Sequence, residues 1–347
     1  MHSTARSTTT NAEGGARLLE LIQMRLVSES IHVVAQLGVA DLLADGPKSI
    51  EQLAKATGAD VTSLGRVLRA LARFGVFSQD AAGQFALGHL GEFLKRDVPG
   101  SLHPAALFFG GETGASTIQL LLDCVRTGES ATHKLDGSKP LFEWLQGDPE
   151  RTKLFHSVMT SFSTLHLTGV LEVYDFSRAK KIVDVGGGHG KIISEILKKS
   201  PEMRGVLFDL PHAREGGQRA ITQAGLHDRC EVISGDFFVS VPTGADAYLL
   251  SRVIHDWDDK KTITILKNVR TAIVPHGRLI LLEMMLRPEG KGVYPILSDL
   301  NMLLLTGGCE RTEDEYRGLY RAAGFELTKT VATKAPTGTT VIEGKPI

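Results

Sequence analysis

The residues able to do chemistry gather in the second half of the chain. Val183-Asp184-Val185-Gly186-Gly187-Gly188-His189-Gly190-Lys191 joins a short apolar run to a helical one. Glycines at such a junction let the backbone turn sharply and lie against a ligand at a strand's carboxyl edge. A dinucleotide fingerprint fails here, because Lys191 stands where its last glycine belongs. What fits is D-x-G-x-G-x-G, on Asp184, Gly186, Gly188 and Gly190. A carboxylate in this loop opposes a pyrophosphate and suits a cationic amino-acid moiety, which Asp184 would hold indirectly. The pattern points to S-adenosylmethionine, which carries ribose, adenine and positive charge without phosphate, and disfavours a nicotinamide cofactor.

Later apolar runs end in matching groups. Phe208-Asp209-Leu210 closes the second, where the Asp209 carboxylate can accept both ribose hydroxyls. Gly235-Asp236-Phe237 closes the third, with Asp236 for the adenine amino group and Phe237 against its ring. One acid at such an edge is more often a cap or turn former; three at successive edges form a ligand pattern. Ser251-Arg252-Val253-Ile254-His255-Asp256-Trp257-Asp258-Asp259 follows the fourth run, and a histidine there is a candidate general base. Trp257 either shields adenine or belongs to the core. Glu283 ends the fifth run, and Glu310 lies in Thr306-Gly307-Gly308-Cys309-Glu310-Arg311-Thr312. A carboxylate beside an imidazole fixes its tautomer and raises its basicity.

These residues need a scaffold that brings strand ends together. Lys181–Val185, Gly205–Leu210, Cys230–Ser234, Ala247–Leu250 and Arg278–Glu283 read as buried parallel strands separated by helical segments. Phe325–Ala332 and Thr339–Glu343 are too close in sequence for a parallel crossover, so they form an antiparallel hairpin. The expectation is an α/β, doubly wound sheet.

The N-terminal part has another texture. Leu18, Leu19, Ile22 and Leu26, then Val33, Val34, Leu37 and Leu42, recur at helical spacing. A capped helix over Ser49–Gly58, a second over Asp60–Phe74 and a hairpin from Val76–Ser78 and Gln84–Leu87 make a winged-helix outline. Arg66, Arg69 and Arg73 invite a DNA-binding reading. Residues 1–105 carry 10 Lys and Arg against 10 Asp and Glu, without the basic excess of a DNA-binding module. A protein–protein surface on the apolar helices is the better expectation.

Composition agrees. The 347 residues carry 39 Lys and Arg against 40 Asp and Glu, so no net field draws the chain to nucleic acid or a membrane. Cys124, Cys230 and Cys309 form neither a zinc motif nor a disulfide framework. The polar start, residues 1–15, reads as a flexible tail, and no run has the roughly 18–20 apolar residues of a membrane span. A cytoplasmic location is expected.

VDVGGGHG, FDLPH, GDFF, HDWDD, LLEMM and GGCERT, in this order, resemble the small-molecule O-methyltransferases of plant and bacterial secondary metabolism. The resemblance implies a Rossmann-like methyltransferase sheet over 171–347 and a winged-helix-like dimerisation domain over 16–110. Helical linker and acceptor-pocket elements would fill 111–170. It implies His255 as base flanked by Glu283 and Glu310, and donor contacts from Ser163, Asp184, Gly186, Gly188, Asp209, Leu210, Asp236, Phe237, Ser251, Arg252 and Trp257. Phe155, Met159 and Phe162, with Asn301 and Met302 from a later loop, would line a pocket for a hydroxylated acceptor, no metal being required. Phe162 replaces a histidine frequent in plant members, and Ser251 replaces a donor-contacting lysine. Alternatives are a relative with diverged hydroxylase- or decarboxylase-like chemistry, or a winged-helix regulator.

Overall fold

A computed structural model describes residues 11–135, 139–167, 169–287, 292–335 and 337–347. The chain forms two compact units that part between Ala115 and Ser116. Residues 1–10 of the expected tail lie outside the described residues. Asn11–Gly15, also assigned to that tail, instead open the helix Asn11–Gln36, where Glu13 complements the positive end of the helix dipole.

In the first unit, the helix Ile50–Thr57 starts at a capping box between Ser49 and Gln52, and Asp60 caps the helix Val61–Ala72. Leu53, Leu64, Leu68 and Leu71 pack in one core with Phe77 and Phe85. These aromatics begin β1 (Phe77–Gln79) and β2 (Phe85–Leu87), an antiparallel pair with Phe77 opposite Leu87. Helix, helix and hairpin thus follow in the expected order. Leu18, Leu19, Ile22 and Leu26 remain 57–67% exposed on Asn11–Gln36, an apolar stripe this unit does not cover.

The second unit is built on a seven-stranded sheet. Its strands are β3 (Lys181–Val185), β4 (Arg204–Asp209), β5 (Cys230–Ser234), β6 (Ala247–Ser251), β7 (Arg278–Met284), β8 (Phe325–Ala332) and β9 (Thr339–Pro346), in the order β5-β4-β3-β6-β7-β9-β8. β3 to β7 run parallel, and β9 pairs antiparallel with both β7 and β8. Apolar clusters cover both faces, which is why the parallel strands are continuous apolar runs. The order reverses between β3 and β6, and ligands bind at such a switch point, beyond the strands' carboxyl ends.

The segment expected as a separate linker is divided between the units. Its part beyond Ala115 joins the second, where Thr132 donates to the Leu305 carbonyl at 2.6 Å and His166 meets the Thr337 and Thr339 hydroxyls at 3.0 and 3.1 Å. No helix among the described residues is long and apolar enough to cross a membrane.

Candidate active site

The glycine loop leaves β3 and turns into the helix Lys191–Lys199. Gly186 and Gly188 take φ of +71° and +57°, a region that disfavours a side chain, and a Cβ on Gly188 would meet nothing within 4 Å. At Gly188 the backbone is therefore open, whereas Gly186 packs against Val253. Asp209, at the end of β4, ties the loop down: its Oδ2 accepts from Gly188 N and its Oδ1 from Leu210 N, both at 2.7 Å. Burial raises its pKa against those two bonds. At the ends of β5 and β6, the Ser234 and Ser251 hydroxyls are buried without a partner, which suits a ligand rich in hydrogen-bonding groups. Lys191 faces its own helix, 3.2 Å from Glu195.

Asp184 lies wholly buried beneath the loop, where a Cβ on Gly187 would come within 2.6 Å of its carboxyl carbon. Burial, then the neighbouring Asp209, pushes its pKa up to about 7.

Over the loop lies the helix Pro149–Leu167, which carries Phe155, Met159, Phe162 and Ser163, all half-buried. His156 of that helix stacks on His189 of the glycine loop, with centroids 5.0 Å apart, and His212 lies 6.2 Å from His156. Phe142 packs 6.3 Å from Phe155 and 6.1 Å from Trp257, which in turn meets Phe237 at 6.1 Å and Phe238 at 4.8 Å. Trp257 is thus part of an aromatic wall reaching the end of β5, where Asp236 stays exposed and accepts from Phe238 N. Asn301 and Met302 are half-buried on the helix Tyr294–Leu305, not in a loop as expected; Pro295 in the first turn of an apolar run starts that helix.

His255 follows β6 and is 6% exposed. Its Nδ1 lies 3.3 Å from Glu310 Oε1, and its Nε2 3.0 Å from the Arg252 carbonyl oxygen. His255, Glu283 and Glu310 present donor atoms all within 4.8 Å of one another. The Arg252 guanidinium already occupies the carboxylates. It donates to Glu310 Oε1 at 2.8 Å and Oε2 at 3.1 Å, to Glu283 Oε2 at 3.4 Å and to Ser298 Oγ at 3.0 Å. Glu283 Oε1 also accepts from Val253 N and Ile254 N, so it shapes the loop as well as the charge.

The electrostatics follow from these partners. Burial and Arg252 work against a proton on His255, yet Asp256, Glu283 and Glu310 prevail and raise its pKa above the usual 6.5. Burial likewise opposes ionisation of Glu310, but Arg252 and His255 hold it well below the carboxylate range. Glu283 is raised by burial.

Three further groups escaped the sequence reading. Arg311 is buried and staples the two loops: it donates to Ile254 O at 3.2 Å and Trp257 O at 2.7 Å while pairing with Asp259. A Cβ on Gly308 would fall 2.0 Å from the His255 carbonyl oxygen, so the backbones touch there. The histidine stack is the third. The GGCERT run held the first two, in a glycine pair and a cation flanking Glu310.

A donor loop, a buried acid–base cluster and an aromatic wall at one switch point define a group-transfer enzyme on a doubly wound fold. The chain matches the O-methyltransferase domain family over residues 119–326 and the O-methyltransferase dimerisation domain family over residues 19–97. It belongs to the S-adenosylmethionine-dependent O-methyltransferases. It is 40% identical over 331 residues, 95% of this chain and 96% of the relative, to the phenazine O-methyltransferase PhzM of Lysobacter antibioticus. The structure of the mitomycin 7-O-methyltransferase MmcR superposes with a TM-score of 0.88 at 34% identity, covering 97% of this chain and 98% of that one. CalO1, a methyltransferase of calicheamicin biosynthesis in its S-adenosylhomocysteine-bound form, superposes with a TM-score of 0.86 at 28% identity, over 98% and 100% of the two chains.

Proposed function

We propose that this enzyme methylates a hydroxyl of an aromatic or polyketide-like small molecule, with His255 as the base. S-adenosylmethionine supplies an electrophilic methyl on a sulfonium; the acceptor O–H bond breaks, an O–CH₃ bond forms and S-adenosylhomocysteine leaves. Gly188 offers open backbone to the donor and Gly186 the close turn that leads to it, Asp209 and Leu210 its ribose edge, and Asp236, Phe237, Ser251 and Trp257 its adenine side. Ser163 and the field of Asp184 complete the donor site. Phe155, Met159, Phe162, Asn301 and Met302 line the acceptor pocket, which favours a flat apolar ring of the kind named for the phenazine relative. The uncovered stripe on Asn11–Gln36 supports a homodimer through the N-terminal unit.

The carrying observation is that each His255 nitrogen faces an acceptor, Glu310 on one side and the Arg252 carbonyl on the other. Only the imidazolium satisfies both. The surroundings therefore stabilise the state that exists once the acceptor's proton has moved to Nε2, while Glu310 keeps Nδ1–H in place. A phenol near pKa 10 and a histidine near 6.5 differ by about 5 kcal/mol, and the raised His255 narrows that gap. No step in this account needs a metal.

His255→Ala should lower kcat by about 10³-fold, within the usual span of general-base losses. Calorimetry with S-adenosylhomocysteine should find donor affinity unchanged. Near wild-type turnover in this variant would remove His255 from the role.

A further inference from the structure

Arg252 is expected from sequence among the donor contacts, but its geometry serves the base. Among the described residues it is the one non-glycine with positive φ, at +56°. A left-handed backbone is unfavourable for a side chain such as arginine and persists where the surroundings hold it. Here the turn does two things at once. It directs the Arg252 carbonyl at His255 Nε2, 3.0 Å away, and sends the guanidinium into the Glu283–Glu310 pair. The Arg252 N–H is already committed to the Leu282 carbonyl at 3.0 Å, which anchors the turn to β7.

We propose that Arg252 is a positioning residue for methyl transfer, holding the protonated His255 ring by its main-chain oxygen and the two glutamates by its guanidinium. This inference rests on His255 being the base. Two buried carboxylates this close would drive one of them to bind a proton if no cation lay between them. A protonated Glu310 would donate at Nδ1 instead of accepting, and Nε2 would then be the nitrogen carrying the ring proton. Arg252 prevents that exchange, so Nδ1 keeps its proton toward Glu310 and Nε2 is left to take one, which the Arg252 carbonyl then accepts. Its cation also opposes the proton on His255, a check on Glu283, Glu310 and Asp256. The groups facing this cluster are Arg252 and Asp256 from the β6 loop, Glu283 from β7 and Glu310 before the helix Glu313–Ala322. Tyr316 from that helix, Tyr294 and Asp299 from Tyr294–Leu305 and His166 from Pro149–Leu167 face it as well, Asp299 accepting from Glu310 N at 2.9 Å.

The test compares Arg252→Met, Arg252→Lys and His255→Ala. Three quantities are read: the titration of the His255 ring by NMR, its resonance assigned by its loss in His255→Ala; S-adenosylhomocysteine affinity by calorimetry; and turnover of a hydroxyphenazine against pH. Arg252→Met should raise the His255 titration midpoint, and the acidic limb of kcat with it, by about one pH unit, since a neighbouring cation is lost. Its kcat should fall about 50-fold while donor affinity changes less than about 2-fold. Arg252→Lys keeps the charge without the planar fork, so its midpoint should stay near wild type while kcat falls about 5–10-fold. An unmoved midpoint in Arg252→Met, or a loss carried by donor affinity in either variant, overturns the proposal. If Arg252→Met fails to fold, Arg252→Lys decides: wild-type kcat, or weakened donor binding, rejects the role. Undiminished turnover in His255→Ala rejects the base itself, whereas an inactive His255→Ala beside an unaltered Arg252→Met rejects only Arg252.

Discussion

His156 and His255 are both drawn out of water, yet their surroundings shift their pKa values in opposite directions. Around His156 the nearby titrating groups are other imidazoles: burial first, then His189 and His212, depress its pKa to about 4. Around His255 burial and Arg252 push the same way, but three carboxylates outweigh them. Partners rather than depth decide the sign. The contrast follows the chemistry of the two sides. On the proposed reading, a neutral His156 ring over the glycine loop would add no repulsion toward a cationic donor, whereas a ring that takes up a proton would serve the acceptor's hydroxyl.

The most disruptive way to break this contrast is Glu310→Gln. It removes the carboxylate at Nδ1 and leaves Arg252 with Glu283 alone. The His255 midpoint should move down in pH, opposite to Arg252→Met, and kcat should fall about 100-fold. Losing one member of a buried ion network should also cost about 3 kcal/mol, read by denaturant unfolding. A midpoint that moves up would mean Glu310 does not govern the ring.

Asp209→Asn probes the other side with a smaller effect. The amide keeps the shape, but its NH2 cannot accept, so one of the bonds from Gly188 N and Leu210 N is lost, the other loses its charge, and the proposed grip on a ribose weakens. Donor affinity should drop about 10-fold, roughly the loss of one hydrogen bond to a charged group. The pH profile at saturating donor should stay as in wild type. A shifted profile would show that the two sides are coupled, and the contrast drawn here would dissolve.

What the sequence could reveal of each side follows from how it is built. The strands were readable almost to the residue, Ala247–Leu250 against Ala247–Ser251 for β6, because strands buried on both faces are apolar runs that stop at polar groups. The glycine loop was readable because its backbone demands that residue type. Asp184 is half legible: its place in the glycine motif marks it, and alternation along β3 sets it opposite Val183 and Val185, on the face of Ile182 and so in the core. The histidine stack was not legible, since His156, His189 and His212 meet only through long-range packing. Nor was the left-handed turn at Arg252, because a strained non-glycine leaves no compositional mark.

The stack supplies the smallest test and the one in which sign matters most. A folded His156 with pKa near 4, against about 6.5 unfolded, binds fewer protons than the unfolded chain between those values. Its contribution therefore disfavours the fold progressively as pH falls from about 6.5 toward 4, and changes no further below that. His255, with a raised pKa, contributes the other way: its stabilisation is full below about 6.5 and is lost as pH rises through its folded value. Because His156 is partly open to solvent, its share is modest. His156→Phe keeps a ring over His189 but removes the titration, so the drop in Tm from pH 7 to pH 5 should shrink by about 2 °C. An equal drop in the variant and wild type would show that the ring on Pro149–Leu167 is indifferent to its charge, leaving His255 as the sole imidazole of the pair whose protonation the fold controls.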